Sequence, residues 1–176
     1  MDLKILLAGF GGQGILFMGK VLATAGLTDG KEVSWLPSYG PEMRGGTANC
    51  SVCISDEPIG SPLIVAPEIL IAMNQPSLKK FIDKVPAGGK VFVDSTLVNI
   101  DGIRSDVEVY PVPATALAEQ HGLKGLANII VIGKLFSIVP FCSEAVLKDG
   151  IDHSVPASKK HLVEKNMEAI EVGKGA

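Results

Sequence analysis

The chain has 176 residues, of which 47% are hydrophobic and 20% are charged, a composition typical of one compact domain that buries a large core. The formal net charge of -3, without any run of Lys and Arg, argues against nucleic acid as a main partner.

The sequence also argues against export and membrane insertion. Its first apolar run is short and leads directly into a glycine-rich turn, unlike a secretory signal. No apolar run reaches the roughly 18 residues that a membrane span requires. Three cysteines, an odd number, fit a reducing compartment better than a disulfide framework. We therefore expect a cytoplasmic protein without a membrane segment.

The first predicted elements are a strand, a glycine turn and a helix. The apolar run Leu3–Ala8 breaks at a glycine-rich stretch, and apolar residues then recur at helical spacing over Ile15–Ala25. Gly9, Gly11 and Gly14 take the glycine positions of G-x-G-x-x-G, which serve a tight turn, a close backbone approach and helix-on-strand packing. The helix directs free backbone N–H groups at the mouth of the turn, where a phosphate or a carboxylate could bind.

A tightly held dinucleotide is not the ligand that this turn favours. The NAD fingerprint adds an acidic residue about 20 positions later, at the end of the second strand. Here the second predicted strand, Glu32 to Leu36, is followed by Pro37, Ser38 and Tyr39, so no carboxylate stands at its tip. We favour a turn that faces a phosphate or a partner protein. Its candidate binding residues are Gly9, Gly11, Gly12, Gln13 and Gly14.

The loop after the second strand is the least regular part of the chain. It combines proline and glycine bends with a hydroxyl, a phenol, a carboxylate and a guanidinium. Arg44 can hold a carboxylate or a phosphate with two parallel hydrogen bonds, and its neighbouring glycines let another backbone approach closely. Internal pairing of Arg44 with Glu42 is the alternative. We expect a ligand or partner contact through Ser38, Tyr39, Gly40, Glu42, Met43, Arg44, Gly45 and Gly46.

Residues 47–55 alternate in polarity, which predicts a half-buried strand whose polar face is solvated or set against another protein. Cys50 and Cys53 have C-x-x-C spacing, but residues three apart on a strand point to opposite faces. Cys142 leaves the set one short of four thiolates. We predict that this chain alone holds no metal ion and no iron–sulfur cluster.

The rest of the chain alternates between strands and helices. Strands are expected at 69–73, 90–94 and 107–112, and helices at 77–85, 114–121, 143–147 and 157–172. The stretch 127–139 is apolar nearly all round, which predicts a buried central helix, with a long strand as the alternative. This order predicts an α/β fold in a single domain, residues 1–176, with a mostly parallel sheet and helices on both faces.

Two consequences for function follow from this arrangement. Ligands of such sheets bind beyond the carboxyl ends of the strands, so the glycine turn and the loop after the second strand should face the same cleft or surface. Catalytic residues, by contrast, are not evident. The histidines, His121, His153 and His161, are scattered and expected on the solvated surface, and paired carboxylates at catalytic spacing are absent.

Four stretches together resemble a known family. They are Gly9–Gly14, Ser38–Gly46, Ser55–Ile59, and Ala127-Asn128 with Gly133. In these residues the chain is similar to the gamma subunit, or gamma-type domain, of the 2-oxoacid:ferredoxin oxidoreductases, and the similarity runs from the N-terminus through the last helix. The resemblance implies a Rossmann-like domain and adds Asn128 to the candidate residues for ligand or partner binding.

The resemblance also implies an activity, cofactors and partners. Members of the family oxidise pyruvate, 2-oxoglutarate or branched-chain 2-oxoacids such as ketoisovalerate, with CoA as co-substrate, to the acyl-CoA and carbon dioxide. They pass the electrons to ferredoxin. Thiamine diphosphate and Mg are expected in the alpha and beta subunits, and iron–sulfur clusters in the beta and ferredoxin-like delta subunits. The gamma subunit holds none of these cofactors and packs on the others near the route of CoA. A free-standing Rossmann-type nucleotide-binding dehydrogenase and a ligand-sensing module are the alternatives.

Overall fold

The computed structural model describes residues 1–38 and 47–176, which form a six-stranded sheet with helices on both faces. The strands are β1 Asp2–Phe10, β2 Glu32–Ser38, β3 Thr47–Ser55, β4 Ile69–Ala72, β5 Lys90–Asp94 and β6 Glu108–Val112. The α-helices are α1 Ile15–Thr28, α2 Gln75–Phe81, α3 Ala114–Gln120, α4 Ala127–Ile138, α5 Glu144–Ser154 and α6 Val163–Lys174. The predicted α/β fold class is confirmed.

The sheet has the strand order β2-β3-β1-β4-β5-β6. Strands β1, β4, β5 and β6 pair in parallel. Strand β3 lies between β1 and β2 and runs antiparallel to both, so β2 runs in the same direction as β1. The mostly parallel sheet is therefore confirmed, with β3 as an antiparallel insertion that the sequence did not predict.

Two apolar cores lie on opposite faces of the sheet, because successive residues of a strand point to opposite sides. Ile5 and Leu7 of β1 belong to a large core shared with α1, α4 and α6. Leu6 and Ala8 belong to a smaller core that α2 covers. Burial on both faces explains why β1, β4 and β5 are nearly continuous apolar runs.

Strand β3 has the predicted bounds, but its second face is less open than expected. Cys50, Val52 and Ile54 are fully buried, as predicted for the apolar face. Cys53 and Ser55 on the other face are only 3% and 6% exposed. The expectation of a solvated or partner-covered polar face is therefore wrong for this end of the strand, where the chain itself covers both side chains.

The segment 127–139 forms helix α4, so the predicted buried central helix is confirmed over the alternative of a long strand. Helix α5 begins after the predicted cap, Ser143, but runs to Ser154 instead of ending near Leu147. Gly150, a weak helix former, lies inside this helix, where α5 packs closely on α1. A Cβ there would lie 2.8 Å from the Cβ of Ala25 in α1.

Other boundaries also differ from the prediction. The helix expected at 77–85 is α2 followed by a 3₁₀ turn at Ile82–Lys84, and the one expected at 157–172 is a 3₁₀ segment at Ala157–Leu162 followed by α6. Strand β2 continues through Pro37, which a sheet tolerates on an edge strand. Among the helices of residues 1–38 and 47–176, none has both the length and the apolar character needed to cross a bilayer.

Candidate functional site

The ends of β1 and β2 meet at one edge of the sheet, which we call the carboxyl edge. Phe10, at the end of β1, pairs with Thr47 at the start of β3, and Ser38, at the end of β2, pairs with Asn49. The glycine turn and both ends of the loop after β2 therefore lie side by side. The predicted site residues Tyr39, Gly40, Glu42, Met43, Arg44, Gly45 and Gly46 lie outside the described residues, so their contacts stay predictions.

The glycine turn, residues 9–14, requires glycine for two physical reasons. Gly12 and Gly14 have φ angles of 97° and 72°, in the left-handed region that glycine adopts without strain. Gly9 instead lacks room for a side chain. A Cβ there would lie 2.6 Å from Cδ1 of Ile15 and 2.8 Å from Oε1 of Gln13. The turn therefore closes tightly on the start of α1 and on its own glutamine.

Gln13 fills the turn with its side chain. Its Oε1 accepts hydrogen bonds from the backbone N–H of Phe10 at 2.7 Å and from Nδ2 of Asn74 at 3.1 Å. Its Nε2 donates to the carbonyl oxygen of Met73 at 2.8 Å. This predicted binding residue thus uses both ends of its carboxamide to join the turn to the end of β4.

Asn74 is a residue of this edge that sequence reasoning missed. It is 3% exposed, and its Oδ1 accepts a hydrogen bond from the N–H of Ser77 at 2.9 Å, which caps α2. Its Nδ2 is the group that binds Gln13. An asparagine directly before a helix with an early proline, Pro76, is a capping signal that could have identified the first of these contacts.

Asn128 reaches the other end of the turn from the first turn of α4. It is 4% exposed, and its Nδ2 donates a hydrogen bond to the carbonyl oxygen of Gly14 at 3.3 Å. A Cβ on Gly14 would lie 2.3 Å from that nitrogen. The structure therefore brings Asn128 together with the glycine turn, although 114 residues separate Asn128 from Gly14.

A second polar cluster, also missed by sequence reasoning, lies at the end of β5. Asp94 is fully buried, and its Oδ1 accepts hydrogen bonds from the backbone N–H groups of Thr96 at 3.1 Å and Thr115 at 3.2 Å. Its Oδ2 accepts one from the Thr115 hydroxyl at 2.5 Å. A buried carboxylate requires such donors, and these join β5 to α3. An acidic residue that closes an apolar strand is the signal that marks it.

The two closely spaced cysteines lie on opposite faces of β3, as predicted. Cys50 packs in the large core, where its thiol donates to the carbonyl oxygen of Ile15 at 3.6 Å and burial raises its pKa to about 12. Cys53 lines a cleft on the other face with Lys4 and Asp56, and burial raises its pKa as well. Two thiols that point to opposite faces of a strand cannot converge on one metal ion or cluster. Within the described ranges, no three His, Cys, Asp or Glu side chains are grouped to hold a metal ion.

An ion-pair cluster lies at the opposite edge of the sheet. Lys31 and the amino group of Met1 both bind the carboxylate of Asp56. The hydrogen bond from Lys31 is the largest cause that lowers the pKa of Asp56 to about 2. This edge also holds the irregular segment after β3, remote from the glycine turn.

The three histidines are exposed, as predicted: His121, His153 and His161.

Comparisons with known proteins find matches over nearly the whole chain. The model of a family described as pyruvate ferredoxin/flavodoxin oxidoreductase matches residues 4–176. The chain is 39% identical over 173 residues to ketoisovalerate oxidoreductase subunit VorA of Methanothermobacter thermautotrophicus, an alignment that covers 98% of this chain and 36% of VorA. It is 40% identical over 176 residues to 2-oxoglutarate synthase subunit KorC of Methanocaldococcus jannaschii, covering 98% of this chain and 92% of KorC. The chain thus spans about a third of VorA and nearly all of KorC.

Two solved structures share the fold. The 2-oxoglutarate:ferredoxin oxidoreductase of Magnetococcus marinus, with 2-oxoglutarate, coenzyme A and succinyl-CoA bound, superposes with a TM-score of 0.89 at 27% identity, over 99% of this chain and 30% of that chain. The gamma subunit of the keto/oxoacid ferredoxin oxidoreductase of Geobacter sulfurreducens superposes with a TM-score of 0.81 at 28% identity, over 97% of this chain and 95% of that subunit.

Proposed function

Because the chain belongs to the pyruvate ferredoxin/flavodoxin oxidoreductase family, we propose that it is the gamma subunit of a 2-oxoacid:ferredoxin oxidoreductase. The complex converts a 2-oxoacid and CoA to an acyl-CoA and carbon dioxide and reduces ferredoxin. One observation carries the proposal: the alignment with KorC covers 98% of this chain and 92% of that subunit. Residues 1–176 then act as one gamma-type domain.

Within the complex, the chain supports assembly and the passage of CoA and substrate and performs no chemistry of its own. The polar side chains found at the carboxyl edge support this role, because Gln13, Asn74 and Asp94 bind groups of the same chain. We assign contact with CoA or a partner subunit to the glycine turn, residues 9–14, and to the loop after β2, residues 38–46, whose sequence contains Arg44.

The cofactors belong to partner subunits in this proposal. The divergence of Cys50 and Cys53 supports placing the iron–sulfur clusters in the beta and delta subunits. Thiamine diphosphate and Mg belong to the alpha and beta subunits, where they supply the chemistry of 2-oxoacid oxidation. Ferredoxin is the electron acceptor, and the complex is cytoplasmic. VorA and KorC are named for ketoisovalerate and 2-oxoglutarate, so both oxoacids, with pyruvate, are candidate substrates.

The relatives give no support to a free-standing dehydrogenase or a ligand-sensing module. The relatives and structures described above are subunits or chains of 2-oxoacid oxidoreductases. The filled glycine turn also offers less to a dinucleotide than an open one, because the Gln13 carboxamide already occupies it.

Purification of the native complex through a tag on this chain tests the proposal. We expect co-purifying subunits that contain thiamine diphosphate and iron, and ferredoxin reduction that requires both CoA and one of pyruvate, 2-oxoglutarate or 2-oxoisovalerate. Subunit identification by mass spectrometry and cofactor analysis complete the measurement. A chain that purifies without such subunits and reduces a nicotinamide cofactor by itself would refute the proposal.

A further inference from the structure

The glycine turn is held at three points by one side chain. The carboxamide of Gln13 binds the N–H of Phe10 at the end of β1, the carbonyl oxygen of Met73 after β4, and the Nδ2 of Asn74 at the cap of α2. Asn74 in turn binds the N–H of Ser77. The glutamine therefore joins the turn after β1 to the turn after β4 through a continuous set of hydrogen bonds.

This arrangement needs a carboxamide in particular. The side chain must accept two hydrogen bonds with its oxygen and donate one with its nitrogen. An ionised glutamate of the same shape keeps the acceptor but places a second oxygen against the carbonyl of Met73. A methionine has a similar length but offers none of the three strong hydrogen bonds.

The outer tip of the turn, residues 10–12, is closed by the backbone N–H of Gln13, which donates to the carbonyl oxygen of Phe10 at 3.1 Å, and the Gln13 side chain adds a bond to the Phe10 N–H. Phe10 is 36% exposed, and Gly11 and Gly12 after it are exposed. Two consecutive glycines form a flexible tip when nothing ties it down, since glycine loses more conformational entropy on ordering than any other residue. A partner that binds an ordered tip does not have to order it first, so pre-organisation raises the affinity.

We propose that Gln13 is a positioning residue that locks the tip of the glycine turn to the turn after β4 and presents Phe10, Gly11 and Gly12 as a preformed contact for the partner subunits. The inference rests on the proposed function, because it takes the partners to be the other subunits of the oxidoreductase. Gln13 acts through the backbone of the turn and does not touch the reacting groups.

The test compares Gln13→Met and Gln13→Glu with the matched control Gln120→Met, which replaces an exposed helix-end glutamine remote from the turn in sequence. Amide exchange of the Phe10 N–H is measured by NMR on the complete chain. Assembly is measured by titrating each variant into the remaining subunits and following ferredoxin reduction.

We expect Gln13→Met to exchange the Phe10 amide about tenfold faster and to need about tenfold more subunit for half-maximal activity, since a typical hydrogen bond is worth about that factor. The maximal rate of ferredoxin reduction should fall by less than tenfold. Gln13→Glu should lie between Gln13→Met and the wild type, because its oxygen still accepts from Phe10 and Asn74. Gln120→Met should match the wild type in both measurements.

Each contrary result overturns a different statement. Unchanged Phe10 exchange in both Gln13 variants would show that the side chain does not hold the tip. Faster exchange with unchanged assembly would show that the tip is not a partner contact. A fall in thermal stability that accounts for the whole loss of assembly would reduce Gln13 to a folding role, and Gln13→Glu replaces Gln13→Met if the latter does not fold. Failure of the wild type itself to join the other subunits would instead refute the proposed function.

Discussion

Helices α4 and α6 cross so closely that the contact depends on two glycines. A Cβ on Gly133 would lie 2.2 Å from the carbonyl oxygen of Ile170, and a Cβ on Gly173 would lie 1.9 Å from that of Ile130. These neighbours are backbone atoms, which cannot rotate away as the tip of a side chain can. We therefore predict that Gly133→Ala destabilises the protein although alanine favours helix.

The expected loss in the free energy of unfolding of Gly133→Ala is the difference between two opposing effects. Alanine gains about 1 kcal/mol over glycine inside a helix. Against this, carbon and oxygen atoms rarely approach closer than about 3.3 Å, so α4 and α6 must separate by about 1 Å. Overpacking of a buried contact costs about 1–3 kcal/mol, and a backbone contact between two buried helices lies at the upper end. The net loss in the free energy of unfolding is about 2 kcal/mol.

Urea unfolding of the purified chain measures this loss. The midpoint should fall with an unchanged slope, because the area exposed on unfolding is the same. The control is Gly26→Ala in α1, where the three atoms nearest to the new Cβ would be side-chain methyl carbons, the closest at 3.0 Å on Ile54 and 3.1 Å on Val33. It gains the same helix preference and should change stability by less than about 1 kcal/mol. Equal midpoints for Gly133→Ala and the wild type would refute the backbone contact.

Four further predictions concern binding, burial and charge. Asp94→Ala leaves the Thr115 hydroxyl and two backbone N–H groups without their acceptor, so urea unfolding should show a loss of about 3 kcal/mol, and a stability equal to that of the wild type would contradict the buried hydrogen bonds. The isolated chain should bind NAD and NADP weakly or not at all in calorimetric titration, because β2 ends without a carboxylate; a low micromolar Kd, about -8 kcal/mol, would favour the dehydrogenase. Because pairing with Lys31 lowers the pKa of Asp56 to about 2, its stabilisation is present above the ordinary carboxyl pKa and is lost as the pH falls towards 2. Asp56→Asn should therefore flatten the fall in unfolding free energy between about pH 4 and pH 2, and an unchanged acid profile would rule out this pair as a contributor. Arg44→Ala should leave the fold intact but lower ferredoxin reduction or subunit assembly by an amount that corresponds to about 2–5 kcal/mol of lost interaction free energy, and Arg44→Lys should recover part of it. Full activity and normal assembly of Arg44→Ala would show that the loop is only a scaffold.

Much of the local structure follows from the order of residues alone. The polarity of residues 47–55 predicted strand β3 with its observed ends, and the apolar run at 90–94 did the same for β5. Apolar character on all sides predicted α4 as a buried helix. These predictions succeed because a strand repeats every two residues and a helix every 3.6, and a short window contains either period.

The glycine turn shows what a local sequence pattern can predict and what it cannot. Its position between a strand and a helix was predicted from glycine spacing, and its approach to the loop after β2 from the rule for parallel strands. The hydrogen bonds by which Gln13 holds the turn were not predicted, because its partners Met73 and Asn74 lie about 60 residues away in the chain. Only the parallel pairing of β1 with β4 brings them within hydrogen-bond distance.

The sequence by itself thus determined the kinds of elements, most of their bounds and the family, since these depend on periodicity and on short stretches of characteristic residues. Tertiary structure decided the rest. In the folded chain β3 lies between β1 and β2, Asn128 binds the carbonyl oxygen of Gly14, and Gly133 packs against the backbone of α6. Each of these contacts depends on which faces of distant elements pack together, and that choice is made by the burial of the whole apolar surface at once, which no local window of residues encodes.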